Sequence, residues 1–92
     1  MTKITARAER LTVTVRFFAA ARDAAGADST ILDLPPGAAV TDAVRELCGQ
    51  SDKLALVLPK CSFLCDGIAV RDPARPLTGD QTIDVLPPFA GG

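Results

Sequence analysis

The chain has 92 residues, of which 48% are hydrophobic and 23% charged, and its formal net charge is -1 at pH 7. This length and balance are typical of one compact globular domain. The near-neutral charge argues against electrostatic binding to nucleic acid or to an acidic membrane surface, so we expect neither partner. No apolar run approaches the ~20 residues of a membrane span.

The residue types that the chain lacks narrow the chemistry it can perform. It contains no His, Trp or Tyr. It therefore has no imidazole base and no Ser-His or Cys-His dyad, which argues against a self-contained hydrolase. Cys48, Cys61 and Cys65 supply at most three metal ligands and do not show the C-x2-C spacing of zinc sites, so we expect no bound metal. The odd cysteine number and the lack of an apolar leader favour a reducing cytoplasm.

Two strands and a short helix are predicted in the first half of the chain. Residues 1–10 show no clean period, and we expect a poorly ordered lead-in. Residues 11–18 alternate as in a half-buried strand, and Phe18 is the large apolar residue on the otherwise polar face. Helix formers then fill Ala19–Ala25, and a second alternating segment follows at Ser29–Leu34.

The main helix is expected after the break at residues 35–37. Thr41 would cap its start, and before Gly49 its apolar residues recur at helical spacing: Val40, Val44, Leu47 and Cys48. Such a stripe must cover one face of a sheet. Residues 54–58 form an apolar run too short to decide between helix and strand, and Pro59 closes it in either case.

A hairpin and a last strand complete the predicted sheet. Asp66-Gly67 stands between two short apolar runs, the pattern of a type I′ turn, in which both central residues need a positive φ. Residues 82–86 predict a strand whose wetter face carries Thr82, Asp84 and Leu86. The order of elements predicts an α+β fold, with a mixed four- or five-stranded sheet packed on one main helix.

The tail of residues 87–92 is the segment that points most directly to function. Pro87 and Pro88 cannot extend a sheet ladder and favour an extended chain, so they project the last four residues away from the domain of residues 11–86. Gly91 and Gly92 have no side chains, which lets the terminal carboxylate enter a channel too narrow for any Cβ.

Three apolar residues are candidates for a partner interface. Phe18 and Leu86 lie on the wetter faces of predicted strands. Phe89, which precedes Ala90 on the projecting tail, has nothing nearby in sequence to bury it.

Three motifs together resemble one known family. They are Val-Arg-Phe-Phe-Ala at 15–19 with Arg-Asp-Ala-Ala-Gly at 22–26, Pro-Leu-Thr-Gly-Asp at 76–80, and Leu-Pro-Pro-Phe-Ala-Gly-Gly at 86–92. In this order and spacing they resemble the small subunit of molybdopterin synthase, a sulfur carrier of the ThiS/MoaD group. The resemblance covers about residues 11–92 and implies a ubiquitin-like β-grasp fold.

The resemblance also implies a function for Gly92. In the family, an adenylating enzyme related to ubiquitin-activating enzymes, of the MoeB type, uses ATP to activate the corresponding carboxylate, and a sulfur donor converts it to a thiocarboxylate. The tail then enters the large subunit of the synthase, where the sulfur attacks cyclic pyranopterin monophosphate on the way to the molybdenum cofactor. The small subunit binds no cofactor, has no activity alone, and works in a heterotetramer.

Other functions remain open at this point. A sulfur carrier for thiamine or cysteine synthesis has the same fold and the same Gly-Gly end, although the diproline favours the molybdopterin assignment. A ubiquitin-like modifier joined through Gly92 to target lysines is an alternative of a different class. A protein-interaction domain whose tail has no function is a third.

Overall fold

The computed structural model describes residues 10–88. Within them, five strands form one sheet: β1 (Leu11–Phe17), β2 (Ser29–Leu34), β3 (Ser62–Cys65), β4 (Ile68–Ala69) and β5 (Thr82–Leu86). Their order across the sheet is β2-β1-β5-β3-β4. The central neighbours β1 and β5 are parallel, and the other neighbouring pairs are antiparallel. The predicted lead-in, except residue 10, and the last four residues lie outside the described part.

The helices lie on one face of this sheet. They are α1 (Ala19–Ala25), the main helix α2 (Val40–Gln50) and α3 (Asp52–Val57), which continues into a 3-10 turn at Leu58–Lys60. The core between the layers is apolar, and its largest fully buried side chains are Leu47, Leu58, Ile83, Val13, Val15 and Val85. None of the helices in residues 10–88 combines the length and apolar character needed to cross a bilayer. The expected mixed sheet on one main helix is confirmed.

The start of α2 differs from the prediction. Its first residue is Val40, and Ala39 stands at the N-cap position instead of Thr41. The Asp42 carboxylate accepts a hydrogen bond from the Ala39 N–H at 2.8 Å, which satisfies a backbone donor at the helix end. The Thr41 hydroxyl is used elsewhere and donates to the Pro73 carbonyl at 2.8 Å. The prediction was wrong because Thr41 anchors a distant loop, whereas Asp42 supplies the cap.

The segment left undecided between helix and strand is helical. Ser51 caps α3, since its side chain accepts a hydrogen bond from the Leu54 N–H at 3.2 Å. Leu54 and Leu58 are buried in the core. A serine at position 51, three residues before Leu54, is a typical N-cap signal. It was present in the sequence and favours a helix over a strand for this segment.

The hairpin between β3 and β4 has the predicted turn. Asp66 has φ 50° and Gly67 has φ 83°, the two positive values that a type I′ turn requires. The Asp66 carboxylate also holds the start of β5, because it accepts a hydrogen bond from the Thr82 N–H at 2.9 Å and from the Gln81 side chain at 3.0 Å. These hydrogen bonds, first that from Thr82 and then that from Gln81, lower the pKa of Asp66. The turn thereby fixes where the central strand begins.

We expect Asp66→Asn to remove a pH-dependent part of the stability. A lowered folded-state pKa stabilises the fold above the unfolded value of about 3.9 and loses this effect as the pH falls through the folded value. Asparagine fits the turn, and its oxygen can accept from the Thr82 N–H, but its amide nitrogen cannot accept from the Gln81 side chain. The asparagine therefore resembles the protonated form of Asp66, which has also lost the charge and one acceptor. Thermal unfolding of both proteins between neutral and acidic pH tests this. The wild type should be more stable at neutral pH, and the difference should disappear in acid. A difference independent of pH would contradict the role of the charge.

Candidate functional site

The outer face of the sheet, turned away from α2, is built on its three central strands. The register places Arg16 of β1 and Leu64 of β3 on either side of Asp84 of β5. Side chains alternate between faces along a strand, so these three point away from the core that Val15 and Ile83 enter. We define the outer face by its side chains: Thr14, Arg16, Phe18, Ser62, Leu64, Thr82, Asp84 and Leu86.

Phe18 lies where β1 passes into α1. Its backbone is extended (φ -123°, ψ 149°), and its N–H donates to the Val85 carbonyl at 3.3 Å. Ala19 then turns the chain with φ 49°, in the left-handed region that disfavours a non-glycine residue by about 1 kcal/mol. The Phe18 side chain is on the outer face and is 39% exposed. The sequence placed it on this face correctly, although β1 ends one residue earlier, at Phe17.

An ion pair lies at the centre of the outer face. Arg16 Nε donates to Asp84 Oδ1 at 2.6 Å, and Arg16 Nη2 donates to Asp84 Oδ2 at 2.8 Å, which is a bidentate arrangement. These hydrogen bonds, and next the charge of the carboxylate, raise the pKa of Arg16. The Asp84 side chain is only 10% exposed, whereas that of Arg16 is 53% exposed. The guanidinium carbon of Arg16 also lies 5.6 Å from the centroid of the Phe18 ring.

The burial of Asp84 corrects the expectation that it lies on a wet surface. Its face was assigned correctly, but β5 has a neighbouring strand on each side. The long side chains of Arg16 and Leu64 on those strands therefore enclose it. The opposite charges of Arg16 and Asp84 were visible in the sequence. The register that makes them partners was not, because it joins residues 68 positions apart.

The tail leaves the sheet beside Phe18. Because β1 and β5 are parallel with Phe17 opposite Val85, the next residues of the two strands, Phe18 and Leu86, reach the same end of the sheet. Leu86 and Pro87 are half-buried, and Pro88 is exposed. The structure thus brings two of the predicted interface residues to the start of the tail. The third, Phe89, lies outside the described residues together with Ala90, Gly91 and Gly92, so their roles stay predictions.

The three cysteines show no sign of a reactive site. All three are free and half-buried. Burial raises the pKa of the Cys61 thiol, and burial followed by the charge of Asp66 raises the pKa of the Cys65 thiol. Both are therefore less ionised at neutral pH than an ordinary cysteine, which makes them poor nucleophiles. Within residues 10–88, no group of His, Cys, Asp or Glu side chains is arranged to hold a metal ion.

A cleft of 420 Å³, lined by apolar side chains together with Arg71, Asp72 and Arg75, lies apart from the tail. It is formed by β3, β4 and the loop before β5, with Ile68, Val70 and Leu77 in its lining. Gln81, just before β5, also lines it. The tail leaves from the opposite end of β5, so this cleft is not part of the candidate site.

The sheet order, the helix packed across one face and the tail at the end of the central strand define a class of small protein, the ubiquitin-like β-grasp fold. The small archaeal modifier protein 1 of Methanosarcina acetivorans has this fold. The two structures agree with a TM-score of 0.77 at 24% identity, over 90% of this chain and 98% of that chain. The fold implied by the motifs is confirmed.

The ThiS family model matches residues 15–92, and the chain belongs to this family. The HVO 2177 protein of Haloferax volcanii is 30% identical, with a TM-score of 0.79 over 91% of this chain and 89% of that chain. A Pyrococcus furiosus protein described as molybdopterin converting factor, subunit 1, is 25% identical, with a TM-score of 0.77 over 86% and 99%. Comparison with curated proteins gives no significant match. The chain is a ubiquitin-fold sulfur carrier or modifier of the ThiS/MoaD type.

Replacing Arg16 tests how far the ion pair stabilises the fold. Arg16→Met leaves the buried Asp84 carboxylate without its partner. Since half of the Arg16 side chain is exposed and water can enter, we expect the free energy of unfolding to fall by about 1 to 3 kcal/mol. Urea denaturation measures this change.

A matched control comes from the second arginine–aspartate pair of the sheet. Arg10 Nε donates to Asp33 Oδ1 at 2.9 Å, and both side chains of this pair are exposed. Arg10→Met should therefore change stability by less than about 1 kcal/mol. If both variants lower the free energy of unfolding by the same small amount, the buried Asp84 does not need Arg16 to stabilise the fold.

Proposed function

We propose that the protein is the sulfur carrier subunit of molybdopterin synthase and that sulfur is attached at the carboxylate of Gly92. The observation that carries this proposal is the position of the tail. It leaves the central strand through Pro87-Pro88, beside the exposed Phe18, and its sequence ends in Gly91-Gly92. The similarity to a protein described as subunit 1 of molybdopterin converting factor supports this pathway over other uses of a sulfur carrier.

The chemistry of the tail begins with activation. A carboxylate is a poor electrophile, so the adenylating enzyme transfers AMP from ATP to the carboxylate of Gly92 and releases pyrophosphate. Sulfide delivered by a sulfur donor then attacks the acyl carbon and displaces AMP, which leaves a thiocarboxylate. ATP is a substrate of the partner enzyme and not a cofactor held by this chain.

The second stage transfers the sulfur. The thiocarboxylate sulfur attacks a carbon of cyclic pyranopterin monophosphate in the large subunit, and the carbon–sulfur bond forms as a carbon–oxygen bond of that substrate breaks. Water then cleaves the acyl–sulfur bond, which leaves the sulfur on the substrate as a thiolate and restores the Gly92 carboxylate. Two transfers supply the two dithiolene sulfurs. Acids, bases and cations for these steps come from the partners in this proposal. The poor nucleophilicity of Cys61 and Cys65 is consistent with that division.

The outer face is the proposed docking surface for the large subunit. Phe18 is a large exposed apolar side chain, and such residues often anchor protein interfaces. Leu86 lies next to it at the start of the tail, and Phe89 would extend the apolar contact along the tail. Docking on this face would hold the domain while the tail reaches into the active site of the partner.

Blocking the terminal carboxylate should abolish the function without unfolding the domain. One residue appended after Gly92, or deletion of Gly92, should prevent thiocarboxylate formation. The added residue converts the Gly92 carboxylate into a peptide bond, and the deletion leaves the terminal carboxylate one residue short of the position where it is activated. Intact mass after incubation with ATP, sulfide and the adenylating enzyme would show whether one oxygen is replaced by sulfur. Thermal unfolding serves as the control for folding. Normal product formation by the extended protein, with the extension still attached, would refute the carrier proposal.

The second candidate function is that of a protein modifier, and the fold shared with small archaeal modifier protein 1 supports it. In that function the amine of a target lysine attacks the acyl carbon of the adenylated Gly92 and displaces AMP, and an isopeptide bond forms. Mass spectrometry of cell lysate distinguishes the two. A modifier gives peptides in which a target lysine carries the C-terminal segment of this chain through an isopeptide bond, whereas a carrier gives none and is found as the thiocarboxylate.

Phe18→Ser tests the docking surface. We expect the affinity for the large subunit to fall by about 2 kcal/mol or more if the ring is an interface anchor. The free energy of unfolding should fall by much less than the ~3 to 5 kcal/mol typical of a truncated core Phe. Calorimetric titration and chemical denaturation on one preparation separate the two effects.

Ile31 provides the control for Phe18. It is 66% exposed on β2, opposite Thr14 and on the same side of the sheet, but on an edge strand away from the tail. Ile31→Ser should leave the affinity nearly unchanged. A large loss of stability in Phe18→Ser with unchanged affinity would place Phe18 in the core and overturn its assignment to the interface.

A further inference from the structure

The side-on pair with Asp84 occupies only one edge of the Arg16 guanidinium. An arginine carries five N–H donors in a rigid planar fork. Asp84 takes the Nε–H and one N–H of Nη2, at 2.6 Å and 2.8 Å. The second N–H of Nη2 and one N–H of Nη1 lie parallel at the end of the fork, and the other N–H of Nη1 points back beside the side chain. Among residues 10–88, no further hydrogen-bond acceptor contacts this guanidinium.

The two members of the pair are presented unequally to a docking partner. Asp84 is 10% exposed and Arg16 is 53% exposed. A partner approaching the outer face therefore meets the cation and not the carboxylate. On one side of that cation it meets apolar groups, because the Phe18 ring lies 5.6 Å away and Leu64 flanks Asp84. On the other side, Ser29 of β2 lies opposite Arg16.

Docking on this face removes water from the remaining N–H groups. Buried donors without an acceptor weaken a complex, so the partner must supply one. Two parallel N–H groups match the two oxygens of a carboxylate better than a single carbonyl oxygen. The pair with Asp84 also holds the guanidinium plane in place before binding, which reduces the conformational entropy lost on docking.

We propose that Arg16 determines partner specificity on the outer face, by binding the carboxylate of an Asp or Glu side chain on the large subunit through its Nη1/Nη2 edge. That carboxylate is set in an apolar surface that receives Phe18. This assignment rests on the proposed function and adds the chemistry that the partner must carry. Asp84 acts as a positioning residue, because it orients Arg16 and does not itself reach the partner.

Calorimetric titration with the purified large subunit tests the geometry of the fork. Arg16→Lys keeps the positive charge but replaces the planar fork with a single ammonium group. We expect the affinity to fall about tenfold or more. Arg10→Lys makes the same change in the exposed pair with Asp33 and should stay within about twofold of wild type. An Arg16→Lys affinity as close to wild type as that of the control would overturn the proposal.

A double variant separates recognition from stability. Arg16→Met combined with Asp84→Leu replaces the pair with apolar side chains and leaves no unpaired buried charge, so the fold should be at least as stable as in the single variant Arg16→Met. If Arg16 recognises a carboxylate, the double variant should still bind about tenfold or more weakly, and its affinity should lose most of the salt dependence of wild type. Wild-type affinity in a folded double variant would show that the pair is only structural.

These outcomes are distinct from a failure of the proposed function. If the wild type forms the thiocarboxylate, transfers sulfur and binds the large subunit, but Arg16→Lys binds equally well, only the specificity assignment is wrong. If the wild type neither binds the large subunit nor transfers sulfur to the pterin substrate, both proposals are wrong.

Discussion

The parallel pairing of β1 with β5 is the constraint on which the rest of the structure depends. It joins the first and last strands of the described chain at the centre of the sheet, with Val15 opposite Ile83 and Phe17 opposite Val85. These residues form the middle of the core on the inner side. The same register sets Arg16 opposite Asp84 on the outer side and brings the start of the tail to Phe18. A slip by one residue would exchange the faces of β5 and separate all of these partners.

Two devices hold that register, one at the start of β5 and one at its middle. At its start, the Asp66 carboxylate of the hairpin turn accepts a hydrogen bond from the Thr82 N–H. At its middle, Asp84 binds Arg16 through two hydrogen bonds. An ion pair of this kind adds little stability compared with apolar side chains of similar size, because desolvation opposes the attraction. It does discriminate between registers, since a displaced strand would leave Asp84 buried without its cation.

Local patterns in the sequence predicted most of the fold, and long-range pairings account for what they missed. Alternation in residues 11–18 assigned the faces of β1, and Asp66-Gly67 identified the hairpin, because both signals lie within a few neighbouring residues. The cap of α2 was misassigned because the Thr41 side chain binds Pro73, 32 residues away. The burial of Asp84 was missed for the same kind of reason, because it depends on the strands that flank β5. In the candidate site, alternation along the strands placed Phe18 and Leu86 on the correct face. It did not predict that Arg16 pairs with Asp84 beside them.

The distinction between a sulfur carrier and a protein modifier lies in which atom of the tail reacts. In a modifier the acyl carbon of Gly92 is the electrophile and remains bound to the target, whereas in a carrier the thiocarboxylate sulfur is the nucleophile and leaves. Both reactions begin with the same activated carboxylate, so the two glycines and the diproline serve either purpose equally. The choice must then depend on which protein receives the activated tail. In the proposed function this choice is made on the outer face, where the partner would dock. A buried Asp84 that orients a half-exposed Arg16 beside Phe18 gives this face a defined charge and shape, which is what selection between competing acceptors requires.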